Sequence, residues 1–239
     1  MEKFGVNLQR DPAAGPPEVW ANRLLGVLRA LQAHAGLERV VHWESREEAH
    51  EIPVELRAIT DYLRSRPVSV DDAGVPQPEA GIVTSLFGVG RGGPDDDLCE
   101  VMLSTGERGP TRNWCIVSFR RPVSPMGMPV LFADCVASFS PVWAALESRA
   151  NITERLDEED ETGAPRRPAD EKLHWHTYYG PGLAAALGLD TLRGRDAVIV
   201  RPLHEGVEVV LGERWESNEA LRSRQREVEP ILFGERTAS

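Results

Sequence analysis

The sequence has few cysteines, and none of them forms a pair at short spacing. Its 239 residues include three, Cys99, Cys115 and Cys135, which is an odd number without a C-x-x-C pair. A disulfide framework and a structural zinc site both need regularly spaced cysteines, so this pattern indicates neither. We therefore expect three buried, reduced thiols.

Long apolar runs are also missing. No segment approaches the roughly 20 apolar residues that a membrane-spanning helix requires. Residues 1–10 lack the basic start and apolar centre of a secretory signal peptide. The sequence therefore predicts a cytoplasmic protein that makes no contact with a membrane.

An excess of basic residues is absent as well. The chain has 27 Lys and Arg against 38 Asp and Glu, which gives a formal net charge of −11. Because nucleic-acid phosphates are bound by basic surface patches, this balance disfavours direct binding of nucleic acid. It favours a partner protein with a positively charged surface.

The sequence also lacks a recognisable catalytic motif. No G-x-S-x-G nucleophile elbow occurs, and Cys115 lies inside an apolar segment, where a thiol is unreactive. Residues 88–93 match the G-x-G-x-x-G spacing of a dinucleotide-binding loop, but Pro94 and three aspartates follow. Because these carboxylates would repel a pyrophosphate, we interpret the stretch as a hairpin connection. The sequence thus predicts no enzyme, no cofactor and no metal site.

What is present is a clear hydrophobic periodicity. Apolar residues at three- and four-residue spacing predict helices that begin near Glu18, Pro53, Val130 and Ser217, with Ser217 as an N-cap and Pro230 as a kink or early end. A short helical turn is predicted near residues 183–187. Between the helices, alternating or continuous apolar segments predict strands at Phe4–Gln9, Val40–Trp43, Ile82–Phe87, Leu98–Ser104, Trp114–Phe119, Val142–Leu146, Leu173–Tyr179, Ala197–Leu203 and Val207–Leu211.

Short connections between consecutive strands favour antiparallel pairing. We therefore predict a single α+β domain over residues 1–239, with a mainly antiparallel sheet flanked by helices. The strand order does not follow from the sequence.

Acidic residues are concentrated in two predicted loops. One follows the glycine-rich stretch, and the other belongs to an exposed polar segment at about residues 156–172 that has no large apolar side chain between 157 and 172. Carboxylates on loops are free to meet a cationic surface, although many charge runs are simply solvated. The candidate binding residues are, first, Asp157, Glu158, Glu159, Asp160 and Glu161, and second, Asp95, Asp96 and Asp97.

Two histidines suggest a different chemistry. His174 and His176 lie two apart on a predicted strand, so both rings are expected on one side, from where they could chelate a metal. A zinc site needs a third ligand, which the neighbouring sequence does not supply. The alternatives are two half-exposed sheet residues or the centre of a small metal-dependent hydrolase.

A series of aromatic, glycine and proline positions covers most of the chain. It comprises the helix with Trp20 and the segment that leads on to Trp43, the strand Ile82–Gly88 with its glycine turn, Gly106 followed by Asn113, residues 141–144 (Pro-Val-Trp-Ala) with Ser148, and Trp175 followed by Tyr178. Their order and spacing resemble the immunity protein 52 family, the antidotes that accompany bacterial polymorphic toxins. The chain departs from the family pattern at His174, where a glycine is expected, and in its longer acidic segment. We expect the matching tryptophans and the tyrosine to anchor the core.

The resemblance implies a non-catalytic α+β protein that binds a cognate toxin, in settings that include type VI secretion. It also implies toxins of the restriction-endonuclease type, which present a basic cleft to which an acidic protein can be steered. Two other hypotheses remain open: the hydrolase built on His174 and His176, and an acidic interaction module unrelated to toxins.

Overall fold

The structure, a computed structural model, describes residues 2–12, 15–44, 48–68, 75, 81–92, 96–106, 113–152 and 172–234. In these ranges the chain forms one sheet of ten strands, and every pairing between neighbouring strands is antiparallel. Helices pack against this sheet, so the predicted α+β class with a mainly antiparallel sheet is confirmed.

The strands follow the order β3-β2-β4-β5-β6-β1-β7-β8-β10-β9 across the sheet. The short edge strand β3 has no counterpart among the predicted strands, and β8 is shorter than predicted. Their bounds are β1 Phe4–Arg10, β2 Arg39–Trp43, β3 Ala49–Glu51, β4 Ile82–Val89, β5 Asp97–Thr105, β6 Asn113–Phe119, β7 Trp143–Ser148, β8 His176–Tyr179, β9 Val198–Leu203 and β10 Gly206–Leu211.

The first strand lies in the middle of the sheet. β1 pairs with β6 on one side and with β7 on the other. Its residues Phe4, Val6 and Leu8 are buried, whereas the residues between them are partly exposed. Because successive strand residues face opposite sides, β1 turns its apolar residues towards one face of the sheet only.

The principal helices are α1 Pro17–Ala35, α2 Leu56–Ser65, α3 Met128–Phe139, α4 Pro181–Leu187 and α5 Asn218–Phe233. The apolar residues whose three- and four-residue spacing predicts the first helix form a buried stripe along α1 from Trp20 to Leu31. Gly36 ends α1 in the left-handed conformation, where its N–H donates to the carbonyl of Leu31. No helix within the described ranges combines the length and the apolarity needed to cross a lipid bilayer.

The last helix begins as predicted and ends later than predicted. The Ser217 hydroxyl accepts a hydrogen bond from the backbone N–H of Ala220, at 3.1 Å, which confirms the N-cap. Pro230 lies inside the helix, which continues to Phe233, so it does not end the helix early. Because proline has no N–H, the i→i−4 hydrogen bond is missing at Pro230, and the helix continues for three more residues.

Helices α1, α2 and α3 cover the side of the sheet that β1 buries. The Tyr62 hydroxyl of α2 forms hydrogen bonds with the Thr84 hydroxyl of β4 and with the His42 ring of β2. α3 contacts β1 and β7 at the other end of this layer, and the guanidinium of Arg10 donates to the carbonyls of Phe139 and Ser140 at the end of α3. The helices therefore form one continuous layer over this face.

The three cysteines are free and buried, as predicted. Burial raises the pKa of the Cys99 and Cys115 thiols to about 12, and it also raises that of Cys135. A thiol with such a pKa stays protonated at neutral pH and is a poor nucleophile. These residues act as small apolar members of the core.

Helices α1 and α3 approach each other closely at Gly26. A Cβ atom placed on Gly26 would lie 2.4 Å from Cβ of Ser138 and 2.6 Å from its Oγ. The absence of a side chain at Gly26 thus sets the spacing between the two helices.

We expect Gly26→Ala to lower the free energy of unfolding, although alanine in a helix interior usually raises it by about 1 kcal/mol relative to glycine. The added methyl group would push α3 away, and overpacking of this kind costs about 1–3 kcal/mol. Urea-induced unfolding of the purified protein measures the difference. Adding Ser138→Gly should restore part of the loss, and a variant G26A more stable than the wild type would contradict this packing.

Candidate functional site

Of the acidic residues predicted to bind a partner, the structure describes Asp96 and Asp97. Asp95 and residues 157–161 lie outside the described ranges. The side chain of Asp96 is only 12% exposed, and its two oxygens accept hydrogen bonds from Arg121 at 2.5 Å and from the N–H of Gly92 at 2.7 Å. Asp96 therefore closes the turn between β4 and β5, which confirms the hairpin interpretation of the glycine-rich stretch. Asp97 is exposed at the start of β5, and its role in binding stays a prediction.

The two histidines of the hydrolase hypothesis lie on opposite sides of the sheet. His176 begins β8 and pairs directly with Leu146 of β7. The His174 ring packs against Trp143, 5.7 Å between centroids, and its Nδ1 contacts the carboxylate of Glu147. Trp143 and Glu147 alternate with Leu146 and so face the other side. The prediction that both rings share a side is wrong, because the chain bends at residue 175 and the strand alternation does not reach His174.

Each histidine is held by its own buried carboxylate. Nδ1 of His176 lies 2.7 Å from Oε1 of Glu208, whose Oε2 accepts a 2.6 Å hydrogen bond from Nε of Arg201. Burial alone would raise the pKa of Glu208, but its hydrogen bonds to His176 and Arg201 and their charges outweigh burial and hold the pKa below its ordinary value. These groups form a closed ionic cluster, with Glu208 at its centre.

The described residues provide one group of three side chains with metal-ligand spacing, and neither of these histidines belongs to it. It consists of Glu44, Glu48 and His50 on the exposed hairpin of β2 and β3, with ligand atoms within 4.8 Å of one another. Exposed acidic groups at this spacing are common without a metal. Among the residues that the structure describes, no group of three metal ligands includes His174 or His176.

A different feature is exposed to solvent: the side of the sheet opposite α1, α2 and α3. In β6 the buried residues, Cys115 among them, alternate with the partly exposed Trp114, Ile116 and Ser118. The same alternation runs through the neighbouring strands. We call this surface the open face. It is formed by Gly5, Asn7 and Gln9 of β1, Arg39, Val41 and Trp43 of β2, Val83, Ser85 and Phe87 of β4, Glu100, Met102 and Ser104 of β5, and Trp114, Ile116 and Ser118 of β6.

The open face ends at β7. There the residues that continue it, Trp143, Ala145 and Glu147, are buried. The surface thus spans five adjacent strands, from β2 to β1.

Seven of the fifteen residues of the open face have apolar side chains. An antiparallel sheet with one solvated face normally carries polar side chains there, but this one carries valine, methionine, isoleucine, phenylalanine and tryptophan. Trp43 is 44% exposed and Val83 is 60% exposed. The charged residues of the open face form ion pairs: Arg39 with Glu51, at 3.7 Å, and Glu100 with Arg120. Exposed apolar and aromatic side chains that cluster among polar ones are typical of a protein-binding site.

Trp43 corrects the expectation that all the matching aromatic residues anchor the core. Trp20, Trp143, Trp175 and Tyr178 are buried, as expected, whereas Trp43 faces solvent at the end of β2. One feature of the sequence could have indicated the open face. Strands such as Leu98–Ser104 and Trp114–Phe119 carry apolar residues on both of their faces.

We expect Glu208→Gln to be about 2–3 kcal/mol less stable at pH 7. Removing one partner of a buried charge pair typically costs about 3–5 kcal/mol, and Arg201 is half exposed. Since the folded pKa of Glu208 is lowered, its stabilising contribution exists above the ordinary pKa near 4.5 and is lost as the pH falls. Urea unfolding at pH 7 and pH 3.5 should therefore show a smaller acid-induced loss in the variant. The exposed Glu213→Gln is the control, and identical pH dependence in the variant and the wild type would contradict the assignment.

Comparison with known proteins yields a fold likeness. No protein-family profile matches the chain, and no curated protein matches it. Among solved structures, it is similar to a T6SS (type VI secretion system) protein of Pseudomonas aeruginosa, with a TM-score of 0.56 and 15% sequence identity. The match covers 98% of this chain and 76% of that chain. At this identity the likeness shows a shared fold alone, and membership of the immunity protein 52 family stays a prediction.

Proposed function

We propose that this chain is a cytoplasmic immunity protein that binds and neutralises a cognate bacterial toxin by stoichiometric protein–protein association. The observation that carries the proposal is the open face, where apolar side chains, among them the exposed Trp43 and Val83, lie on the side of the sheet opposite to α1, α2 and α3. A surface of this kind provides binding energy when a partner removes it from water.

The charge of the chain supports the choice of partner. A net charge of −11 favours association with a cationic protein and raises the rate of encounter with it. Nuclease toxins carry such a surface, because an enzyme that grips phosphates needs a basic cleft. An acidic protein that covers the cleft would exclude the nucleic-acid substrate.

The fold likeness is compatible with this role. A T6SS protein shares the arrangement of strands and helices over nearly the whole chain, and the sequence resemblance to immunity protein 52 implies the same biological setting. Both are weaker support than the open face, since related folds serve many functions.

The proposed mechanism contains no chemical step. Nδ1 of His176 and Nε of Arg201 both bind the carboxylate of Glu208, and Nδ1 of His174 contacts Glu147. Inhibition then depends on the amount of complex formed, so one molecule of this chain should neutralise one molecule of toxin.

Co-expression with the toxin encoded beside this gene tests the proposal. We expect the chain to restore growth of cells that produce this toxin and not of cells that produce an unrelated one. In vitro, toxin activity should fall linearly with added protein and reach zero at a 1:1 ratio, with a 1:1 complex in size-exclusion chromatography coupled to light scattering.

Two results would refute the proposal. One is continued growth arrest while the folded chain is present in excess. The other is complete inactivation of the toxin at a small fraction of equimolar protein, because that would indicate turnover by an enzyme.

A further inference from the structure

We propose that this chain binds an α-amino acid with an aliphatic side chain, in its zwitterionic form, in a cavity beyond the end of α3. The cavity lies between the last residue of β1, the start of α4 and the turn that joins β9 to β10. This site is separate from the open face, so the inference goes beyond the proposed function.

The position of Tyr178 places the cavity on the helix side of the sheet. Tyr178 lines the cavity and pairs directly with Ala144, which in turn pairs with Leu8. Directly opposed residues of neighbouring strands share one side of a sheet, and Leu8 is buried on the side of the helices. The cavity and the open face therefore lie on opposite sides of the sheet.

The cavity has the size of a small-molecule site. Its volume is about 400 Å³, which falls within the range of roughly 300–1,000 Å³ that is usual for ligand pockets. Apolar residues form one part of its wall: Pro141, Val142, Pro181 and Leu183. This part of the wall suits an aliphatic group of a ligand.

Two residues that line the cavity have a backbone conformation that residues with side chains seldom adopt. Ser140 has a φ of 50° and His204 a φ of 51°, both in the left-handed region. Among the residues that the structure describes, Ala197 is the only other non-glycine residue with a positive φ. Strained backbone of this kind clusters at ligand-binding sites, so its occurrence at two places around one cavity points to a ligand.

Two hydrogen-bond donors face a carboxylate in this cavity. Tyr178 is 1% exposed, and its hydroxyl forms no hydrogen bond with any residue that the structure describes. Burial and the Glu205 carboxylate raise the pKa of Tyr178, so the hydroxyl keeps its proton and donates at neutral pH. Arg10 uses Nη1 for the carbonyls of Phe139 and Ser140, which leaves Nε and Nη2 without an acceptor in the described ranges. A carboxylate can accept from both side chains.

Two acidic residues line the same cavity. Asp11 and Glu205 are exposed, and the charge of Asp11 acts on Arg10. Two carboxylates beside one guanidinium disfavour a ligand that carries negative charge alone, and a phosphate most of all. They favour a ligand whose ammonium group meets the acids while its carboxylate meets Arg10 and Tyr178. An α-amino acid carries these two charges next to each other.

Three probes of similar shape test the class of ligand. L-leucine carries both charges, isocaproate lacks the ammonium group, and isoamylamine lacks the carboxylate. NMR titration of the isotope-labelled full-length protein measures the Kd of each probe. We expect a millimolar or lower Kd for L-leucine and binding about 10-fold weaker for each analogue, because each analogue loses a charge-assisted contact.

Two substitutions that preserve side-chain shape test the residues. Tyr178→Phe should weaken both L-leucine and isocaproate about 10-fold, because both lose a hydrogen bond to their carboxylate. Glu205→Gln should weaken L-leucine several-fold without weakening isocaproate, since only the ammonium group meets this acid. Tyr62→Phe removes a hydroxyl that bonds to Thr84 under α2, and this control should bind L-leucine like the wild type. Thermal melting establishes that each variant is folded.

Saturable binding of L-leucine that Y178F weakens and Y62F does not would support the site. The absence of saturable binding up to the solubility limit of L-leucine would overturn it, and so would a Kd that neither Y178F nor E205Q changes. Tighter binding of isocaproate than of L-leucine would show that the site takes a simple anion, against the proposal. None of these measurements involves a toxin, so their failure leaves the proposed function standing, and failure of the rescue experiment leaves this site standing.

Discussion

The antiparallel hydrogen bonds of β1 hold the sheet together. β1 lies between β6 and β7, so it joins the part of the sheet from β2 to β6 to the part from β7 to β10. The two parts differ in character. On the β6 side of β1 one face is open to solvent, and on the β7 side the strand is buried throughout. The open face therefore ends at the boundary between β1 and the buried strand β7.

The buried charged residues of the sheet lie on the side of β1 that begins with β7. Glu208 is shared between His176 and Arg201, and Glu147 meets His174 on the other side of the sheet. Buried ion pairs contribute little net stability compared with apolar side chains of similar size. We suggest that they define which residues of β8 and β10 face each other, since a shift of one residue would separate the charges. The two histidines that resemble a metal site in the sequence thus contact two different carboxylates in the fold.

The sequence predicted local features better than long-range ones. The α1 stripe from Trp20 to Leu31, the Ser217 cap and the buried cysteines depend on spacing along the chain, and the structure confirms them. The central position of β1 depends on pairing with strands far away in sequence, for which a single sequence carries no signal. The prediction that His174 faces the same side of the sheet as His176 is wrong because the chain bends at residue 175. The alternation rule for strands cannot anticipate such a bend. The open face was missed because apolar residues on both sides of β5 and β6 do not reveal which side the helices cover.

Successive residues of β6 face opposite sides of the sheet and therefore have different roles. Cys115 and Val117 are buried on the side of the helices, whereas Trp114 and Ile116 are partly exposed on the opposite side of the sheet. Replacing an outward residue with another strand-forming residue leaves the interior intact. Related proteins could therefore change their recognition surface by single substitutions while retaining the same scaffold. Their interior residues would remain similar after the outward residues had diverged.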